Sequence, residues 1–149
     1  MTRLSRLAVT ALALVLVCGT ALAHRDATGI VKQRMDAMTV MGDAMKALRA
    51  MMRGAQPYDA ERVRVHAATI AGHAGEKMTA LFPEGSLNHP TRAKPAIWAD
   101  WNRFAESARQ LAMYADALAA VSNERAPGAV FKRLQQTCSD CHRAFRTKK

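Results

Sequence analysis

Residues 127–146 read PGAVFKRLQQTCSDCHRAFR. Pro127 suits the opening turn of a helix, where its missing N–H has no partner to lose. Val130, Leu134, Thr137, Cys138, Cys141 and Phe145 then fall along one helical face, mostly at steps of three and four. Cys138, Cys141 and His142 stand at i, i+3 and i+4, so the three side chains share that face.

The same two signals, proline punctuation and helical period, organise the rest of the chain. Pro57, Pro83, Pro90, Pro95 and Pro127 lie between apolar-periodic segments or at their starts. The first segment carries Val31, Met35, Met38, Gly42, Met45, Leu48 and Met52 as its stripe. The second, from Asp59 to about Phe82, carries Val63, Ala67, Ile70, Ala74 and Leu81, with Asp59 as a fair N-cap. The third, from Pro95 to about Val121, carries Ile97, Trp101, Phe104, Ala108, Leu111, Ala115 and Leu118. No stretch has the alternation or β-branched density of a strand. Four amphipathic helices with mostly short connections predict an all-α, antiparallel four-helix bundle.

Residues 1–23 read as a cleaved export signal. Arg3 and Arg6 precede an apolar run from Leu7, and Ala21-Leu22-Ala23 is a small-x-small cleavage site. The run is short for a membrane span. Residues 24–149 then form the mature domain, 126 residues long with a net charge of +8 instead of +10. Cleavage also removes Cys18 and leaves Cys138 and Cys141 as the only pair. The expected product is exported, periplasmic and not inserted in the membrane.

Cys138-Ser139-Asp140-Cys141-His142 is a C-x-x-C-H run, the signature of covalent haem attachment. Two thiols on one helix face can reach the two vinyl groups of one porphyrin, and the adjacent imidazole can reach its iron. A thioredoxin-like pair would require alternating strands and helices. A structural zinc site would require four ligands. A disulfide would explain neither His142 nor the position. One covalent haem c, held by Cys138 and Cys141 with His142 as proximal ligand, is the expected cofactor.

A C-x-x-C-H run in the last helix of a four-helix bundle resembles the class II cytochromes c, the cytochrome c′ family. The likeness spans the whole mature chain. It includes Arg34-x-x-x-Met38 in the first helix, Lys94-Pro95-x-Ile97-Trp98 at the start of the third, and Phe145-Arg146 after the haem histidine. The family often has Tyr where Phe145 stands. The resemblance places Met38 over the iron, as the distal ligand of a low-spin electron carrier. It also implies a propionate contact for Arg34 and a proximal-side position for Arg146. In other members the sixth position is open and binds NO or CO, and that alternative stays beside the first. Members commonly form homodimers.

Six of the nine Met lie in the first segment: Met35, Met38, Met41, Met45, Met51 and Met52. Methionine at helical spacing is ordinarily flexible core filler. Soft thioethers also suit Cu(I), so a haem-free copper-binding bundle is a remote third reading. Trp98 and Trp101 are expected to pack the bundle. His66 and His73 are two turns apart, too far to share one ion. The basic residues are spread without interleaved aromatics, which speaks against nucleic acid. An acidic redox partner is a better use of the charge, since steering raises encounter rates. No Ser/His/Asp arrangement, phosphate loop or paired carboxylate motif appears, so no enzyme activity is expected.

Overall fold

The computed structural model describes residues 27–87, 91–121 and 127–148. The expected signal segment and Pro90 lie outside them. Among these residues six helices follow in order: α1 Gly29–Met52, α2 Ala60–Ala71, α3 Glu76–Thr79, α4 Ala96–Ala99, α5 Trp101–Ala120 and α6 Gly128–Phe145. The four long ones are the helices of a four-helix bundle. Among the described residues none is long and apolar enough to cross a membrane.

Two of the expected helices are interrupted, each for a local reason. The second ends at Ala71 and resumes at Glu76 after Gly75, whose φ +60 is a conformation that favours glycine. Gly75 N–H donates across the bundle to the Ala108 carbonyl of α5 (3.0 Å). The third breaks at Asp100, where φ −134 and ψ 55 separate the short α4 from α5. Asp59 caps α2 as expected, its carboxylate accepting from the Arg62 N–H at 3.0 Å.

The core joins the facing stripes. Leu48, Val63, Ile70, Ile97, Leu118 and Leu134 are fully buried, each stabilising the fold by about 1.5–3 kcal/mol. α5 packs against both α2 and α6, and α1 packs against α2. The stripe on α1 is rotated from its expected position. Val31, Arg34, Ala37, Met41, Ala44, Met45, Leu48 and Met51 are buried, whereas Met35, Met38 and Met52 are half-buried. Trp101 departs from its expected core position and is 39% exposed.

The segment before α4 is tied to the end of α6. Ala93 and Arg146 form an isolated antiparallel bridge. Lys94 N–H donates to the Phe145 carbonyl (3.0 Å), and Thr147 N–H to the Arg92 carbonyl (2.9 Å). Lys94 Nζ donates to the Arg143 and Ala144 carbonyls, both at 3.2 Å. A cation there complements the negative helix terminus. Trp98 Nε1 donates to the Phe82 carbonyl at 3.1 Å, so this tryptophan does pack the bundle. The Lys94-Pro95-x-Ile97-Trp98 sequence thus has a structural role: Lys94 fastens the segment to the helix that carries C-x-x-C-H, and Trp98 fastens it to the loop after α3.

Candidate functional site: a cavity facing the C-x-x-C-H helix

A cavity of about 310 Å³ is bordered by α1 on one side and α6 on the other. Met38, Met41, Gly42, Met45 and Arg49 of α1 line it, with Ile70, Met78, Ser107 and Leu111 from the intervening segments. Cys138, Cys141 and His142 line it from α6. Its wall is mainly apolar and its size is that of a small-molecule site. The rotation of the α1 stripe now has a reason. Arg34, Ala37, Ala44 and Leu48 serve the core, while Met38, Gly42 and Arg49 border the cavity. Met41 and Met45 do both.

The donor set is suited to a covalently held porphyrin. Both cysteines are free and half-buried. Burial pushes both thiols up, and the Cys141 thiol, next to Cys138, is raised to about 11. They are therefore protonated at neutral pH. His142 is shifted the other way. Although His142 is exposed at the cavity rim, partial desolvation of its ring, then the positive charges of Arg146 and Arg92, lower its pKa and favour the neutral imidazole. Gly42 adds room, since a Cβ built there would meet no atom within 4 Å. Arg49 Nε is buried with no hydrogen-bond partner. An unfilled donor on an apolar wall marks a cavity built around a group the polypeptide does not itself supply.

Arg34, expected at a propionate, does not line the cavity. It is buried beside it, with its guanidinium holding the loop after α3. Nε and Nη2 donate to the Leu81 carbonyl at 3.0 and 2.8 Å. Nη2 also reaches Ser86 Oγ (2.7 Å), and Nη1 reaches the Ser86 carbonyl (3.2 Å) and Thr91 Oγ1 (3.4 Å). The same group lies 4.1 Å from the Phe82 ring centroid. Arg146 terminates α6, donating its N–H to the His142 carbonyl at 3.1 Å. Phe145 is buried edge-on to Phe104 with centroids 5.4 Å apart. A phenyl ring needs no hydrogen-bond partner in that setting, which accommodates the absent tyrosine hydroxyl. His73, one of the two histidines on α2's side, is satisfied locally by a 2.9 Å contact with the Thr69 carbonyl.

Sequence reading missed Arg49. Its signal was present: positions 38, 42, 45 and 49 step by four, three and four along the face that borders the cavity. A lone arginine among methionines reads as a solvated side chain until the opposite wall is known.

A family model of cytochrome c′ matches residues 29–146. The chain belongs to the cytochrome c′ family. Its relatives include a cytochrome c′ of Pararhodospirillum photometricum, 38% identical over 120 residues, covering 78% of this chain and 94% of the relative. A cytochrome c-556 of Agrobacterium tumefaciens (strain II Chrys) is 34% identical over 123 residues, covering 81% and 99%. The solved cytochrome c′ of Rhodopseudomonas palustris superposes with a TM-score of 0.71 at 32% identity, covering 83% of this chain and 99% of that one. Membership of the family carries haem c as the cofactor, and the haem-free copper reading falls with it.

Proposed function

We propose that the mature chain, residues 24–149, is a periplasmic electron carrier with a single haem c. Cys138 and Cys141 are its thioether attachments, His142 the proximal ligand and Met38 the distal one. When bound, the haem supplies one-electron redox chemistry. The observation that supports this reading most is that Met38 and His142, 104 positions apart in sequence, border one cavity from opposite helices. A thioether is a soft axial donor that raises the reduction potential. Met41, Met45, Ile70, Met78 and Leu111 line the cavity with apolar surface and limit water around it. The half-buried thiols of Cys138 and Cys141 and the imidazole of His142 face one cavity, as attachment and proximal ligation need.

The optical spectrum tests the ligand set. The wild type is expected to be low-spin and unresponsive to CO, and Met38→Ala to become high-spin and CO-binding. A wild type already high-spin defeats the distal-methionine assignment. It favours the second reading, an open sixth position for NO or CO, which is supported by the unfilled space at Gly42. One solved relative, 25% identical, is described by its ligand-controlled dimer dissociation. A homodimer is accordingly the proposed assembly, tested by sedimentation with and without CO.

A further inference from the structure

We propose that the surface around Trp101, where the start of α5 meets the end of α6, is the docking face for an acidic redox protein. This rests on the electron-carrier reading above and gives that carrier a direction. Trp101 lies on the apolar stripe of α5 yet is 39% exposed. A rigid aromatic at the surface is typical of an interface anchor, and arginine is its usual companion.

The surroundings are cationic. Arg103 and Arg143 border one shallow depression with Gln136, Asp140 and Ala144. The Arg103 guanidinium lies 5.9 Å from the Phe145 ring centroid. Lys94 is held on the carbonyls of Arg143 and Ala144, and Arg92 on that of Thr147 at 2.7 Å. Arg146 completes the set at the end of α6. Five cations thus meet two neighbouring carboxylates, Asp100 and Asp140, whose ion pairs with Arg103 and Arg143 measure 4.0 and 3.0 Å. Arg103, Arg143 and Arg146 are exposed and Arg92 and Lys94 half-buried, and the balance of charge is positive, which suits an anionic partner through long-range steering.

The interior behind this face connects it to the attachment helix. Phe145 lies one turn beyond His142 on α6 and packs against Phe104. Phe104 in turn packs against Trp101, with centroids 5.5 Å apart. A partner seated on Trp101 is therefore separated from the C-x-x-C-H helix by close-packed aromatic rings. Electronic coupling crosses packed atoms better than it crosses a gap.

The test uses the haem-loaded protein in stopped-flow oxidation, with hexacyanoferrate(III) as anionic probe and tris(phenanthroline)cobalt(III) as cationic probe. Arg103→Glu/Arg143→Glu is compared with Arg62→Glu/Arg64→Glu, which makes the same charge change elsewhere. The Gly75–Ala108 bond sets the end of α2 beside the N-terminal half of α5, so Arg62 and Arg64 lie toward the other end of the bundle. At low salt the first pair is expected to slow the anionic reaction about tenfold, and the second to change it little. Salt should abolish the difference. Trp101→Ala should slow transfer to an acidic blue-copper protein without slowing hexacyanoferrate.

Unchanged spectra and melting temperatures establish that each variant is folded. Equal slowing by both charge-reversed pairs would assign the effect to net charge and overturn the face. A wild-type anionic rate insensitive to salt would overturn it too, by showing these cations already neutralised by haem carboxylates. A wild type that exchanges electrons slowly with both reagents and binds CO removes the carrier reading and this proposal with it. Rapid, salt-independent exchange removes only the docking face.

Discussion

Replacing Arg34 with Met separates two roles for this residue. Arg34 is 4% exposed and makes five hydrogen bonds to residues 81–91. The substitution leaves the Leu81 and Ser86 carbonyls without this donor, at about 1–3 kcal/mol for each buried orphan. It also removes the cation over Phe82, about 1 kcal/mol. Against this, the cost of burying a guanidinium is relieved, a cost visible in its lowered pKa. The net loss should be about 3 kcal/mol. For a domain of this size that corresponds to about 10 °C in melting temperature. Thermal unfolding of the haem-loaded protein, followed by far-ultraviolet circular dichroism, reads it directly. Arg34→Lys should recover less than half, because one ammonium cannot reproduce the planar fork that reaches Leu81 and Ser86 together. Limited proteolysis should find new cuts between residues 81 and 91. A loss below about 1 kcal/mol, with an altered haem midpoint potential, would refute this reasoning and return Arg34 to a propionate.

Gly42→Leu should fill space on the cavity wall, and the fraction of protein recovered with covalent haem, measured on a haem-stained gel, should fall. Lys94→Met removes a cation from the carbonyls at the end of α6; denaturant unfolding should show a loss of about 1 kcal/mol. Leu118→Ala deletes a fully buried side chain and should cost about 2–5 kcal/mol by the same measurement. In haem-free protein, iodoacetamide should label Cys141 at pH 8 about a hundredfold more slowly than an ordinary thiol titrating near 9, because only thiolate reacts and its thiol titrates at about 11. Labelling should accelerate as pH rises toward 11. The neutral thiol is the form favoured by folding. Its contribution to haem-free stability is therefore full below pH 9 and is lost as pH rises through about 11. Denaturant should erase the labelling difference.

Much of the architecture was legible because a four-helix bundle is made from local signals. Proline positions and period-3.6 stripes located the four long segments, and an aspartate side chain capped the second helix where expected. The breaks at Gly75 and Asp100 were less legible. The first depends on a cross-bundle bond to Ala108, a partner 33 residues away that no local pattern names. The exposure of Trp101 was hidden for a similar reason. Its spacing is that of a core residue, but whether a neighbouring helix covers it is decided at the end of the bundle.

The chemistry divides along the same line. Sequence alone determined that Cys138, Cys141 and His142 share a face, since that follows from helix geometry within five residues. It also determined that Met38 stands on a methionine-rich amphipathic helix. Only the tertiary structure decided which of those methionines border the cavity and which fill the core, because the two faces differ by a rotation of α1. It also decided that Arg34 is committed to the carbonyls of residues 81–86 while Arg49 is left with an unfilled donor on the cavity wall. Hydrogen-bond satisfaction is a property of what lies opposite a side chain, and what lies opposite is set by packing rather than by period.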